Sequence, residues 1–332
     1  MSGARRSVVG ALAAVCLLPA VARADRHHRD PRRVFVCLFP SNAPDPIGPT
    51  RRWYAGEFAK HGLSDGRDIE ITILRAPTQG IEELVGPVRE AVSLRADVII
   101  VHGGGKEARE HFLPVARHVP LVMFGPDDGT GDTIEALNRE GRNITGVMYS
   151  YFELVVKRFE LMKQLRPKAR RAAIVDGQAR STELLERVKR LHVARLTTDI
   201  GRLGMEFVPI EVHPDSAADA IADALREARV DFAELLCCHS PALWGRLTGM
   251  GIATSVVGPV AVKEGALLGG WSVGYVASAV RLAARVLKGA KAKDIPVERP
   301  MEFGLAINLR TAKALGLEVP PSMVLRADQV FE

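Results

Sequence analysis

Short runs of β-branched and aliphatic residues alternate along this chain with longer segments whose apolar positions recur every three or four residues. Val34-Phe-Val-Cys-Leu38 opens the series, a helical segment follows through Trp53 to His61, and Ile69-Glu-Ile-Thr-Ile-Leu74 comes next. That is β-α-β order. The pattern then predicts a helix from Ile81 to Leu94, a strand at Val98-Ile-Ile-Val101, a helix from Lys106 to Arg117, a strand at Leu121-Val-Met-Phe124 and a fifth short strand from Thr145 to Tyr149. Strands that are apolar on both faces and separated by helices make a parallel sheet covered on both sides.

The series restarts after Tyr151. Phe152, Val155, Phe159 and Met162 fall on one helical face, and that helix ends before Pro167. Strands follow at Ala172-Ala-Ile-Val175, Phe207-Val-Pro-Ile210, Phe232 to Cys238 and Ala253 to Val257, so a second lobe of the same α/β design is expected. Within the long segment from Ser181 to Leu203, Thr197-Thr198-Asp199 offers a cap for a second helix. Ala266 to Trp271 reads as a strand, Tyr275 to Leu287 as a helix stopped by Gly289, and Phe303 to Leu309 as another strand. Periodicity alone assigns these last elements to neither lobe.

Composition agrees with two lobes, since 332 residues exceed what one core usually organises, and 47% hydrophobic with 25% charged residues describes a globular chain. No tract points to low complexity, and no repeat of solenoid period is visible. At the N-terminus, Arg5 and Arg6 precede an apolar run from Val8 to Val21 that ends in the small-x-small pattern Ala22-Arg23-Ala24. Residues 1–24 therefore read as a secretory signal, followed by a charged, flexible arm over residues 25–32. The run is interrupted by Gly10 and Pro19 and is shorter than the ~20 residues a membrane-spanning helix needs.

Cleavage after Ala24 would remove three arginines and no acid, lowering the net charge from +6 to +3. The remaining basic residues are mixed with acids and not interleaved with aromatics, so nucleic acid is not an expected partner. Cys37, Cys237 and Cys238 survive cleavage, an odd count that is no disulfide framework. Buried thiols are one reading, and a vicinal Cys237–Cys238 disulfide is the other.

Catalytic and metal-binding patterns are weak. Gly103-Gly-Gly-Lys106 lacks the first glycine and the final Ser or Thr of a P-loop, and neither Gly-x-Gly-x-x-Gly at the first helix nor Gly-x-Ser-x-Gly occurs. His111 and His118 have no third ligand at usable spacing, and adjacent side chains in Cys237-Cys238-His239 point to opposite faces of a strand. The expectation is a protein without catalytic residues, cofactor or metal.

The last stretch is more specific. It combines Leu287-Lys288-Gly289, Asp294-Ile295-Pro296-Val297, Asn308 with Thr311-Ala-Lys-Ala-Leu-Gly-Leu317, Pro320-Pro321 and Arg326-Ala327-Asp328. Together with Gly141-Arg-Asn-Ile-Thr-Gly146 and Gly62-Leu-x-x-Gly66, it resembles the substrate-binding proteins of ABC transporters, in the group that includes tryptophan/tyrosine-type binding proteins. The resemblance implies a type I periplasmic-binding-protein fold: two Rossmann-like lobes with parallel sheets, joined by three crossing segments. Lobe one would comprise residues 33–147 and 266–298, and lobe two residues 148–265 and 299–332. It also implies a monomeric periplasmic protein that clamps a small organic ligand, an amino acid or related compound, and delivers it to an inner-membrane ABC permease and its ATPase. A ligand-sensing partner of a membrane receptor and a secreted α/β enzyme are the alternatives.

In open α/β sheets, ligands approach the carboxyl ends of strands. That rule and the resemblance place Ser41, Asn42, His102, Gly103 and Asp127 on the rim of lobe one, and Asp176, Cys238, His239 and Ser240 on the facing rim. Tyr149, Ser150 and Tyr151 lie on the first crossing and Trp271 on the second. Trp271 would either stack on a flat ligand or fill the hinge. Asp127 and Asp176 would hold a ligand ammonium or close Asx turns. His102 and His239 would donate to a carboxylate or serve structure. The glycines after His102 would let the backbone turn sharply and expose amides to the cleft.

Overall fold

The structure, a computed structural model, describes residues 30–39, 47–77, 81–102, 110–127, 143–176, 183–213, 216–236, 240–300 and 302–332. Residues 1–24, expected to be a signal, and most of the expected arm after them lie outside the described residues.

The first sheet contains β1 (Arg32–Leu38), β2 (Ile69–Arg75), β3 (Val98–His102), β4 (Leu121–Asp127) and β5 (Ile144–Ser150), in the order β2-β1-β3-β4-β5. Every pairing in it is parallel. Side chains alternate between two apolar layers, as a two-sided strand requires. Val34, Val36, Val98, Ile100, Val122 and Phe124 face one layer, which holds Tyr54 and Phe58 of α1 (Ile47–Lys60). Phe35, Cys37, Ile99, Val101 and Met123 face the other, with Val88 and Ala91 of α2 (Val85–Ser93).

The second sheet contains β6 (Arg171–Asp176), β7 (Glu206–Glu211), β8 (Phe232–Leu235), β9 (Ala253–Val256), β10 (Leu268–Ser272), β11 (Phe303–Asn308) and β12 (Gln329–Phe331). Its order is β12-β11-β10-β9-β8-β6-β7, with β10 and β11 antiparallel and the other pairs parallel. The stretch β7-β6-β8-β9-β10 repeats the order of the first sheet, so each lobe is the same five-stranded unit, and the second is extended by β11 and β12. One layer over this sheet contains α3 (Tyr151–Leu165) and α4 (Glu183–Arg202). The other contains α5 (Ala218–Glu227), α6 (Pro241–Gly249) and α7 (Val260–Glu264).

The duplication extends to the turns. Gly62 after α1 and Gly204 after α4 have φ of 72° and 73°, and the next residues donate back to the helix, Leu63 N to Phe58 O and Met205 N to Ile200 O. These are Schellman closures, which need the left-handed conformation. The turns leaving α2 and α5 close in the same way on Arg95 and Arg229, at φ 60° and 52°. Two residues later a carboxylate receives the first amides of the central strand: Asp97 Oδ2 from Arg33 N, and Asp231 Oδ2 from Arg170 N and Arg171 N.

Three segments cross between the lobes. The first runs from β5 into α3, which packs on the second sheet. The second runs from β10 through Val273 and Gly274 into α8 (Tyr275–Leu287), which packs on the first sheet through Ala279, Val280 and Ala283. The third passes along the edge of β5, where Glu298 N donates to Gly146 O and Met148 N to Glu298 O. It then enters β11.

One expected assignment changes. The resemblance implies that the strand at 266–271 belongs to lobe one, whereas β10 is the fifth strand of the second sheet, held by parallel pairing to Ser255 and Val256 and antiparallel pairing to β11. The return to lobe one comes after Ser272 and not at Gly265, whose turn joins α7 to β10. The segment over 183–202 is likewise one helix, not two. Thr197 and Thr198 donate to the carbonyls of Val193 and Ala194 one turn back, which satisfies the hydroxyls inside the helix and removes their use as caps. The helix expected from Ile81 begins as a 3₁₀ turn over Ile81–Leu84 before α2.

The motifs at the C-terminus hold the architecture together. Asn308 is buried; its Oδ1 accepts from Thr311 N to cap α9 (Leu309–Ala314), and its Nδ2 donates to Val262 O of α7. The Thr311 hydroxyl donates to Gly265 O. Asp328, after α10 (Pro321–Val324), accepts from Leu305 N and returns its own amide to Leu305 O, setting the register of β12.

Candidate site at the carboxyl edge of the first sheet

The carboxyl ends of β1, β3, β4 and β5 carry rings in consecutive contact. Phe39 follows β1 and meets His102 at the end of β3, with centroids 5.0 Å apart and planes at 85°. His102 meets Phe124 of β4, also at 5.0 Å. Tyr275, the first residue of α8, bridges Phe124 at 6.0 Å and Tyr149 of β5 at 4.9 Å. The Phe124–Tyr275 contact is tilted at 42°, and the other three are edge-to-face, the favoured arrangement in which the positive rim of one ring meets the negative face of the next. His102 and Phe124 are direct register partners on β3 and β4, whereas Phe39 follows the end of β1 and Tyr149, opposite Pro126, joins the row through Tyr275.

The electrostatics of this row come from burial. Desolvation lowers the His102 pKa to about 4, so the imidazole is neutral near pH 7. The Tyr149 phenol is raised first by burial and then by Tyr275, with Arg158 acting in the opposite direction. Burial also raises Tyr275. Both phenols therefore stay protonated and can donate hydrogen bonds. At the outer end of the row, Arg75 turns its guanidinium to Phe39 O at 2.7 Å and to the Thr50 hydroxyl at 3.1 Å.

Of the expected residues, His102 of the rim and Tyr149 of the first crossing are in this row. Ser150 is buried, and its hydroxyl accepts from Glu153 N as the N-cap of α3. Ser240 does the same for α6 through Leu243 N. Asp176 ends β6 opposite Glu211, and its carbonyl accepts from Val212 N. Asp127 ends β4 opposite Ser150, but its side chain, like that of Tyr151, is outside the described residues. Ser41, Asn42, Gly103, Cys238 and His239 also lie outside them.

Trp271 is committed differently from the tyrosines. It pairs across the ladder with Gly304, and a Cβ on Gly304 would overlap the indole at Cε2, Cζ2 and Nε1. The ring belongs in part to the core layer that contains α5, α6 and α7. Sequence reasoning missed Phe39, Phe124 and Tyr275. Phe124 was legible as the last strand residue in phase with Val122. Tyr275 was not, because it reaches the row only when α8 crosses back to the first sheet.

Burial pushes the Cys37 thiol well above its ordinary range, and Glu90 adds to that, so it remains a protonated core residue. Among the described residues no cluster of three or more His, Cys, Asp or Glu could hold a metal.

No protein-family profile matches the chain, and no curated protein matches it. Solved structures do. An ABC domain from Streptococcus pneumonia in complex with L-Trp aligns with TM-score 0.70 at 18% identity, covering 91% of this chain and 100% of that one. A ligand-free, open substrate-binding protein with adhesive properties from Clostridium difficile aligns at TM-score 0.61 and 16% identity, covering 90% and 99%. A periplasmic solute-binding protein of an ABC transporter from Actinobacillus succinogenes, with bound D-allose, aligns at 0.59 and 15%, covering 85% and 99%. At these identities the likeness concerns the fold, which is that of the type I periplasmic binding proteins.

Proposed function

We propose that this chain is the solute-binding component of an ABC importer. It holds a small organic ligand, an amino acid or related compound, between the two lobes and presents it to an inner-membrane permease and its ATPase. The observation that carries this reading is the row Phe39, His102, Phe124, Tyr275 and Tyr149, set at the carboxyl edge where open α/β sheets receive ligands. Its neutral imidazole and protonated phenols suit recognition, and it offers no nucleophile paired with a base.

Residues 1–24 would direct export to the periplasm and be removed there, leaving a monomer that needs no cofactor. Ser41, Asn42, Gly103, Asp127 and Ser150 would complete the lobe-one side. Asp176, His239 and Trp271 would act from lobe two. A ligand touching both lobes makes its full set of contacts only in the closed form, so binding shifts the population toward closure.

Thermal-shift measurement of the mature protein against amino acids, nucleosides and aromatic acids tests the reading. A binder of the folded state raises the melting temperature by mass action. Binding without turnover supports it, whereas chemical conversion of the bound compound replaces it with the enzyme alternative.

A further inference from the structure

Arg158 of α3 and Glu234 of β8 are the two fully buried charged side chains among the described residues. They form a two-point pair, Arg158 Nε to Glu234 Oε2 at 2.9 Å and Nη2 to Oε1 at 2.5 Å. The remaining arm of the guanidinium, Nη1, donates to the carbonyl of Gly270 in β10 at 2.9 Å. The Ser255 hydroxyl of β9 also donates to Glu234 Oε2. One network thus joins four elements of lobe two.

A buried ion pair adds little net stability over apolar residues of similar volume, because desolvation cancels most of the Coulomb gain. What a guanidinium fork supplies is direction, since its donors are fixed in a plane. Its place in the fold gives that direction a use. Arg158 sits on the helix that receives the first crossing, and Gly270 is on the strand that feeds the second. Phe303 opens the strand that follows the third. A Cβ on Gly270 would stand 2.5 Å from Phe303 Cζ and 2.8 Å from Arg158 Cγ, so the arginine stem and the phenyl ring rest on that glycine.

Beyond Gly270 the backbone ladder continues as far as Val273, whose amide donates to Glu302 O, and the side-chain tethering ends. Ser272, on the same face of β10, is buried with no hydrogen-bond partner for its hydroxyl among the described residues. Gly274, at φ 72°, has no atom within 4 Å of where a Cβ would stand.

We infer that Arg158 is a positioning residue of the hinge: clamped by Glu234, its fork holds the Gly270 carbonyl and sets the direction in which β10 delivers Val273, Gly274 and Tyr275 to lobe one. The inference rests on the solute-clamp reading only in taking the crossings as the hinge. It accounts for a charged pair in an otherwise apolar layer, and it links lobe two to Tyr275 of the ring row.

The test is amide hydrogen exchange on the full mature chain, comparing Ser272–Tyr275 with the core strands β6 and β8. In the double variant Arg158→Met with Glu234→Leu, the apolar pair preserves the core and exchange at Ser272–Tyr275 rises about tenfold or more relative to β6 and β8. Arg158→Lys keeps the charge but cannot hold both Glu234 and Gly270, and gives an intermediate rise. Hinge exchange equal to wild type in the double variant overturns the proposal, and so does a lysine variant indistinguishable from wild type. If the double variant does not fold, Arg158→Lys and Ser255→Ala decide in the same way. Because exchange is read without ligand, a failure to bind any solute would count against the proposed function and leave this result standing.

Discussion

Trp271 occupies the space that a side chain at residue 304 would need. The indole and the glycine face each other on antiparallel strands at the point where the second and third crossings meet lobe two. Gly304→Ala should therefore destabilise the protein by about 1–3 kcal/mol, the usual cost of overpacking, as the ring is forced off its seat. Urea denaturation followed by circular dichroism measures it. A change below about 0.5 kcal/mol, typical of an unconstrained surface site, would show that the indole moves freely.

If Trp271 also stacks on the solute, Trp271→Ala weakens affinity well beyond its effect on stability. Tyr275→Ala is expected to do the same, since it removes the bridge between Phe124 and Tyr149 and with it the continuity of the wall. Isothermal titration with the compound found by thermal shift reads both, and unchanged affinity for Tyr275→Ala would remove the ring row from the binding surface.

Arg95 and Arg229 occupy left-handed positions that glycine fills in the corresponding turns after α1 and α4. The Cβ clash at such positions costs roughly 1–2 kcal/mol, partly offset by the greater entropy of glycine in the unfolded chain. Arg95→Gly and Arg229→Gly should each stabilise the fold by about 0.5–1 kcal/mol. The sites lie in different lobes, so the double variant should show additive gains in thermal denaturation.

His102 supplies a pH dependence with a definite sign. Its folded pKa near 4 lies below the ordinary 6.5. Between those values the unfolded chain binds a proton that the folded chain refuses, so stability falls as pH drops from about 6.5 toward 4 and then levels off. The full contribution is at most about 3.4 kcal/mol, at about 1.36 kcal/mol per pH unit. Subtracting the denaturation profile of His102→Gln from that of wild type isolates it. A flat difference across that window would mean that the imidazole is solvated.

Asn308→Ala removes the cap of α9 and leaves the Val262 carbonyl without its donor. The expected loss is about 2–4 kcal/mol, one cap plus one buried acceptor left unsatisfied. The ring row belongs to the other sheet, so if it forms the binding surface, ligand affinity per folded molecule should stay as in wild type.

The C-terminal stretch that carried the resemblance shows why fold was easier to read than ligand. Asn308, Thr311 and Asp328 spend their hydrogen bonds on α7, α9 and β12, and Thr145 donates to Ile295 O where the third crossing lies against β5. These residues specify the architecture and leave the chemistry of a ligand unspecified. Strand carboxyl ends point to His102, which is in the row, and to Ser240, whose hydroxyl caps a helix. The first crossing points to Tyr149, which is in the row, and to Ser150, whose hydroxyl caps α3.

By itself, the sequence determined what depends on local periodicity and turn chemistry: which segments other than the short β12 are strands, that both sheets are covered on two faces, and that there are two lobes. Tertiary structure alone decided that β10 belongs to the second sheet while the helix after it packs on the first. An apolar strand can pair along any open edge and an apolar helix can cover any open face, so partner choice is absent from local pattern. That exchange brings Tyr275 to Tyr149 and the Gly270 carbonyl to Arg158.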